Sequence, residues 1–401
     1  MRQNVFLYLS RMLLACGGMA SQMLLAQQVG DTLGPYPTEQ QIQVDFLSHY
    51  YEQDGNHSAV TGGLGTEELT DMGGGIHVII PLDSIARLEL SSTLNHYTSA
   101  STDNIDSYVS SASRKDNRAY IHVGYGQEHQ SSGWSIGASG SFESDYLSSS
   151  ISGSWYHASS DGLSRLSLAW SLFLDTWLVI FPEELRAPGL VSVPTNRRRS
   201  FQFSCSWTQP LSPRLRMSAT IEPGLQQGLL STPFHRVYFL NDPLPGIEQL
   251  PGWRLKLPIG IRANYSLTAW MVSRMFYRFY WDSFGILGHT ISLELPVKPG
   301  PFWAIYPFYR FHWQREAKWF REYGQHARTD QYVTSDFDLS GFFSHKLGAG
   351  LSLYPIYGIA RWRMSSVRIG MWEQLDIRYA RYLRSDGLNA NSFSLGLKMR
   401  F

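Results

Sequence analysis

The sequence predicts an all-β protein, a transmembrane antiparallel up-and-down β-barrel of about 16 strands, with roughly 14 to 18 as the range. Three observations carry that expectation. Apolar and polar residues alternate along most of the chain, as in strands with one face toward lipid and the other toward a polar interior. Short, turn-rich connections largely take turns with long ones. The 401 residues are 14% aromatic but only 17% charged, and the mean hydropathy is negative, which suits alternating strands better than membrane helices. No window supplies the ~18 uninterrupted apolar residues of a spanning helix. The longest apolar stretch, LAWSLFLDTWLVIF, has Asp175 in its middle.

Residues 1–26 read as a secretory signal peptide, with Arg2 near the start, apolar runs on both sides of Arg11, and small residues before a polar break after Ala26. Residues 27–401 are then the barrel. With the leader removed, Cys205 is the one cysteine left, so neither a disulfide framework nor a cysteine-rich metal site organises the fold. A net charge of +1 offers no basic stripe and excludes nucleic acid as a partner.

The strands follow in order. QIQVDFLSHYYEQ sets Ile42, Val44 and Phe46 against Gln43 and Asp45, and NRAYIHVGYGQEH sets Ile121, Val123 and Tyr125 against Tyr120, His122 and Gly124. Similar runs are GWSIGASGSFES, SISGSWYH, RLSLAWSLFL, SFQFSCSW, RLRMSATIE, LPIGIRANYSL, SRMFYRFYWD, HTISLELPV, YPFYRFHWQ, FDLSGFFSHKL, AGLSLYPIY, EQLDIRYARYL and NSFSLGLKMRF. Each is about the length of a tilted spanning strand, on the order of 10 residues. PLDS, SSDG, PLSP and KPGP read as tight turns. The long connections include DGNHSAVTGGLGTEELTD, FPEELRAPGLVSVPTNRRR, QGLLSTPFHRVYFLNDPLPGIEQLPG and REAKWFREYGQHARTDQ. GGLGTEE and MGGGI lack a phosphate-loop lysine and read as loop and bulge glycines. In the final run Phe393, Leu395, Leu397, Met399 and Phe401 share one face. Closure requires this last strand to pair with the first, so Phe401 is expected as a lipid-facing interfacial ring. A C-terminal aromatic on an alternating strand also resembles the assembly signal of outer-membrane barrels, which implies barrel-assembly machinery as a partner.

RFYWDSFGILGHTISLEL, together with YYEQDGN, STDNID, SSASRKDNRA, TPFHRVYF, YVTSDFDLSGF and RYLRSDGLNANSFSLGL, resembles a family of uncharacterised Gram-negative outer-membrane β-barrel proteins, catalogued only as a domain of unknown function. The resemblance implies the architecture and a cell outer-membrane location, and it brings no activity, substrate or catalytic residue.

The candidate site is a charged lumen. In MFYRFYWDS the alternation leaves Arg278, Tyr280 and Asp282 on one face, and in YPFYRFHWQRE it leaves Arg310, His312 and Gln314 together. Glu294, Asp336, Asp338 and His345 are expected from neighbouring strands or their ends. A lipid-facing arginine at mid-membrane costs about 2–4 kcal/mol, so these faces point inward. There they either pair to stiffen the wall or select what passes. Ser335, His345 and Asp338 compose a hydrolase set only on paper, with no nucleophile-elbow motif, and no enzyme is predicted. The scattered histidines show no metal-ligand spacing, and no cofactor motif is present. Asp103 and Asp106 offer oxygens for calcium but miss the calcium-loop pattern. Arg197, Arg198 and Arg199 form a cationic run suited to solvent or to lipopolysaccharide phosphates. The function expected is a channel or transport pore, or an integral component of a surface export or electron-transfer assembly with outer-membrane or periplasmic partners. The alternative is a structural or adhesive barrel acting through its loops, and less so a lipid-modifying enzyme.

Overall fold

A computed structural model describes residues 41–98, 115–186, 193–363 and 369–401. The expected leader, Asp103 and Asp106 lie outside these residues. The strands are β1 (Gln43–Asp54), β2 (Leu69–Pro81), β3 (Ala86–Thr98), β4 (Lys115–Glu128), β5 (Ser132–Phe142), β6 (Tyr146–Ala158), β7 (Arg165–Leu178), β8 (Thr195–Ser212), β9 (Leu215–Ile221), β10 (Gly224–Gly228), β11 (Arg236–Phe239) and β12 (Asp242–Ile247). They continue with β13 (Trp253–Ser266), β14 (Val272–Asp282), β15 (Leu287–Glu294), β16 (Val297–Gly300), β17 (Trp303–Arg315), β18 (Phe342–Leu353), β19 (Ala360–Arg363), β20 (Ile369–Arg384) and β21 (Asn389–Arg400).

Neighbours in the wall pair antiparallel throughout, and β21 returns to β1 in the register Val44↔Met399, Phe46↔Leu397, Tyr50↔Phe393. That pairing closes the sheet and leaves no edge. Three wall positions are interrupted strands, β9 with β10, β15 with β16, and β18 with β19, while β11 and β12 form a separate hairpin in a loop. The result is a 16-strand barrel. The first break falls at Glu222-Pro223 and the second at Leu295-Pro296, where a proline has no N–H to give to the ladder.

Three sequence expectations change in detail. MGGGI is neither loop nor bulge but the middle of β2, paired without a slip to β1 and β3. A Cβ on Gly73 would come within 2.3 Å of the His49 ring, so the bare backbone there makes room for that imidazole. β3 likewise was not among the alternating runs, because Ser91, Ser92 and Thr93 blur its pattern. FDLSGFFSHKL and AGLSLYPIY are not two strands: FDL is a 3-10 turn, Phe337–Leu339, and the rest belongs to β18 and its end.

The outer face is apolar. Leu94 is 66% exposed and Ile136 54%, with Val123, Ile151, Leu174, Ile291 and Leu347 similarly open, values that belong to lipid contact rather than water. At the end carrying both described termini, Trp362 packs edge-on against Phe401, ring centres 5.8 Å apart, and against Trp372. At the other end His289 lies among Tyr277, Phe279 and Trp313, and His345 among Tyr309, Phe311 and Phe343. Two aromatic girdles therefore bound the apolar band. At the terminus end the turns 82–85, 159–164, 213–214 and 301–302 are short, as PLDS, SSDG, PLSP and KPGP predict. The opposite end carries the long loops, although 143–145, 283–286 and 385–388 are tight there too.

Burial is concentrated at that loop end. Phe284, Ile286, Ala317, Phe320 and Leu339 form one core; Val237, Phe239 and Val333 form a second; Val60 meets Phe234 in a third. Apart from Phe284 and Ile286, which sit in the turn 283–286, these residues come from the loops 55–68, 229–252 and 316–341, which fold over the barrel mouth as a cap with an interior of its own.

Candidate functional site: a cationic lumen under a folded cap

The inner face is built by the same alternation that greases the outer one. On β14, Met275, Tyr277 and Trp281 point outward, which turns Arg274, Arg278, Tyr280 and Asp282 inward. On β17, Tyr309 and Trp313 point outward and Arg310, His312 and Gln314 inward. The structure divides the sequence-nominated residues into two groups at different heights.

The first group lines the lumen. Glu294 accepts from Arg274 Nη1 at 2.9 Å and from Arg378 Nη2 at 3.0 Å. The second contact spans the inner faces of two intervening strands. Arg378 also lies 4.0 Å over the Phe308 ring, a position open because β18 has Gly348 there: a Cβ at Gly348 would stand 2.6 Å from the Phe308 ring edge. Higher up, Arg278 Nη2 stands 3.7 Å from Glu222 Oε2, and His312 Nδ1 lies 2.8 Å from Thr290 Oγ1. Arg310 is directly paired with Lys346 across β17 and β18, two cations side by side on one face. Neither forms an ion pair with a described residue.

Across the barrel, the inner faces of β5 and β6 carry hydroxyls at this height. Ser139 and Ser150 hydroxyls are 2.6 Å apart, Ser135 and Ser154 2.7 Å, and Thr220 donates to Ser206 at 3.0 Å. Charges on that side lie near the ends, with Arg87, Glu89 and Glu128 toward the termini and Asp175 with Arg198 at the loop end. The hydroxyls on β5 and β6 thus lie across the ring from Arg310 and Lys346 on β17 and β18, while Thr220 on β9 neighbours β13.

The second group holds the cap. Asp282, fully buried, accepts from Arg254 Nε and Tyr280 Oη, both at 2.9 Å, and from the Ile286 amide at 3.1 Å. Gln314 Nε2 donates to the carbonyls of Asp338 and Ser340, both at 2.9 Å. Asp336 and Asp338 are not on the wall at all, which corrects the expectation for both. They flank the Phe337–Leu339 turn, because Phe337 and Leu339 are needed by the cap core, and Arg384 at the end of β20 reaches up to Asp338 Oδ1 at 2.5 Å. His345 faces the outer girdle, so Ser335, His345 and Asp338 form no set. The arginine run splits by strand period: Arg198 turns inward onto Asp175 at 2.7 Å, while Arg197 and Arg199 are exposed on the outer side of β8.

Further contacts knit the cap. Arg236 pairs with Glu184 at 2.5 Å and donates to the Val60 carbonyl at 2.8 Å, and His57 stacks on Phe337 with ring centres 3.8 Å apart. Gly63 sits at φ +89°, and a Cβ there would be 2.9 Å from Phe337 and from the Ser335 carbonyl, so only glycine serves. Burial pushes the Glu67 carboxyl up to about 8, with Asp338 beside it adding to the rise. Burial together with Asp338 pushes Asp336 up to about 7.

Sequence reasoning missed Lys346, Arg274, Arg378 and Glu222 in the lumen and Glu67, Arg254 and Arg384 in the cap. Lys346 was legible, since the period running through Ser344, Lys346, Gly348 and Gly350 marks the inner face. Glu67 carried no local signal. Nor did spacing reveal that His235, Glu248 and Asp336, far apart in the chain, bring their ligand atoms within 4.8 Å of one another.

The fold is similar to those of several solved barrels. The siderophore receptor PirA from Acinetobacter baumannii matches at 11% identity and TM-score 0.43 over 85% of this chain and 53% of that one, so the chain spans about half its length. A bacterial polysaccharide outer membrane secretin matches at 8% identity and TM-score 0.45, covering 90% of this chain and 99% of that one. OccK2 (OpdF) of Pseudomonas aeruginosa matches at 9% identity and TM-score 0.37, covering 90% and 98%. No functionally curated protein matches the sequence. A family model described as a protein of unknown function (DUF3570) matches residues 19–354, most of the strands and cap described above, and the chain belongs to that family.

Proposed function

We propose that the protein is an outer-membrane channel that favours anionic solutes, with its outer mouth covered by a loop cap that must yield for passage. In this reading the short turns face the periplasm and the cap faces the medium. The observation that carries it is the pair Arg310 and Lys346, adjacent on the inner wall with no ion-paired partner among the described residues. Cations placed to stiffen a wall are expected to be neutralised by acids, as Asp282 neutralises Arg254 at the mouth. Cations left open toward a water-filled lumen, across from the hydroxyls of β5 and β6, concentrate anions instead. A barrel of this strand number is wide enough for that lumen to hold water.

The test is the reversal potential of single channels in a planar bilayer under a potassium chloride gradient, with Arg310→Ala and Lys346→Ala for comparison. The reading expects a reversal potential on the chloride side that shifts toward zero in each variant and further in the double variant. Conducting channels with identical selectivity in all four proteins would refute it.

A further inference from the structure

His235 and Glu248 lie in loop 229–252, 5% and 3% exposed, and Asp336 reaches them from loop 316–341. His235 Nδ1 is 3.8 Å from Glu248 Oε1 and 3.8 Å from Asp336 Oδ2. That is too long for hydrogen bonds. It is close to the separation of about 3.4 Å between neighbouring ligands around a tetrahedral ion bound at about 2.1 Å. We infer that His235, Glu248 and Asp336 form a site for a divalent transition cation of the zinc type, which fastens the two largest cap loops to each other.

The surroundings fit a ligand set. Glu248 is aimed by two donors, the Thr232 amide and Thr334 Oγ1, both at 2.6 Å, and Asp336 by the Asp338 amide on Oδ1 at 2.9 Å, which leaves Oδ2 toward the imidazole. Such outer contacts orient metal ligands. The Ser335 hydroxyl, between Thr334 and Asp336 in sequence, is 2% exposed and has no hydrogen-bond partner among the described residues. Two carboxylates converge here, and Arg384 is already engaged by Asp338 and Asp386. A buried anionic pair of this kind is stabilised by a cation. One imidazole with two carboxylates suits zinc and its first-row neighbours, and three protein ligands leave one position for water.

The test uses the full chain, without a histidine tag, stripped with a chelator and kept folded in detergent, as shown by the difference in gel mobility before and after heating. Zinc is titrated calorimetrically, and cobalt is added separately to read visible absorption. One zinc per chain is expected, together with the intense cobalt bands of a four-coordinate site. His235→Gln and Glu248→Gln should each lower zinc affinity at least tenfold and abolish those bands, while His345→Gln, on the outer face, should change neither. Zinc should also slow protease cleavage within 229–252 and 316–341. The cobalt spectrum of the unaltered protein reads the site even where a variant fails to fold. Absence of those bands, or equal zinc uptake by a folded His235→Gln variant, would overturn the inference.

Discussion

Asp282 and Glu67 are both buried acids at the barrel mouth, yet their surroundings prescribe opposite behaviour. Asp282 has three donors in place, so it is a structural anchor of the β14 end rather than a lumen group that meets solutes. Asp282→Ala strands Arg254 in the interior and should cost about 3–5 kcal/mol, read as a lower temperature for loss of the heat-modifiable gel band. Among the described residues, Glu67 Oε2 is buried with no hydrogen-bond partner, Gln53 donates to Oε1, and Asp336, Asp338 and Asp386 surround the carboxyl with Arg384 as the opposing cation. Its folded-state value of about 8 lies above the 4.5 of an unburied glutamate. The folded cap keeps this proton while the opened loop releases it. Cap stability therefore falls as pH rises from about 4.5 to about 8 and is level above that. Glu67→Gln should protect loop 55–68 from proteolysis at pH 8.5 and make little difference at pH 5. An equal effect at both values would show that Glu67 is not protonated in the cap.

At the scale of elements, the strand period decides which face each residue serves, and this makes single substitutions informative. Ile121→Arg places a cation in the apolar band and should destabilise the barrel by about 2–4 kcal/mol, whereas Ser139→Arg, one strand away on the inner face, should be tolerated. Refolding titrations in urea with lipid vesicles distinguish the two. The same period explains what was legible in the sequence. Where large apolar residues alternate with polar ones, as in β14, β17 and β21, face and register could be read directly. In β2 and β3 glycines and serines replaced the contrast, because the inner wall there needed space for His49, and the strands were overlooked. The cap was illegible for another reason. Its cores join loops distant in sequence, Val237 with Val333 and His57 with Phe337, and neither alternation nor turn chemistry reports such contacts. Asp336 and Asp338 were misplaced on that account, since a charged pair beside SGFF looks like a strand end until Phe337 and Leu339 are seen to be core residues.

The whole molecule combines a wide closed wall, two aromatic girdles and a cap with its own interior at one end. Their arrangement separates two tasks. Arg254, Asp282, Gln314 and Arg384 hold the cap on the mouth, while Arg310 and Lys346 face the lumen below it without an ion pair to a described residue. On the proposed channel function, loosening the cap should therefore alter how often the pore is open without altering its ion preference. Gly63→Val, which the backbone and Phe337 both oppose, is expected to raise open probability and leave the reversal potential unchanged. Single-channel recording of the unmodified protein under a potassium chloride gradient tests the central claim most directly. A chloride-side reversal potential that moves toward zero when Arg310 and Lys346 are replaced by alanine is the predicted result. A folded, heat-modifiable barrel that conducts with cation preference, or that stays silent even after the cap is loosened, would contradict the account.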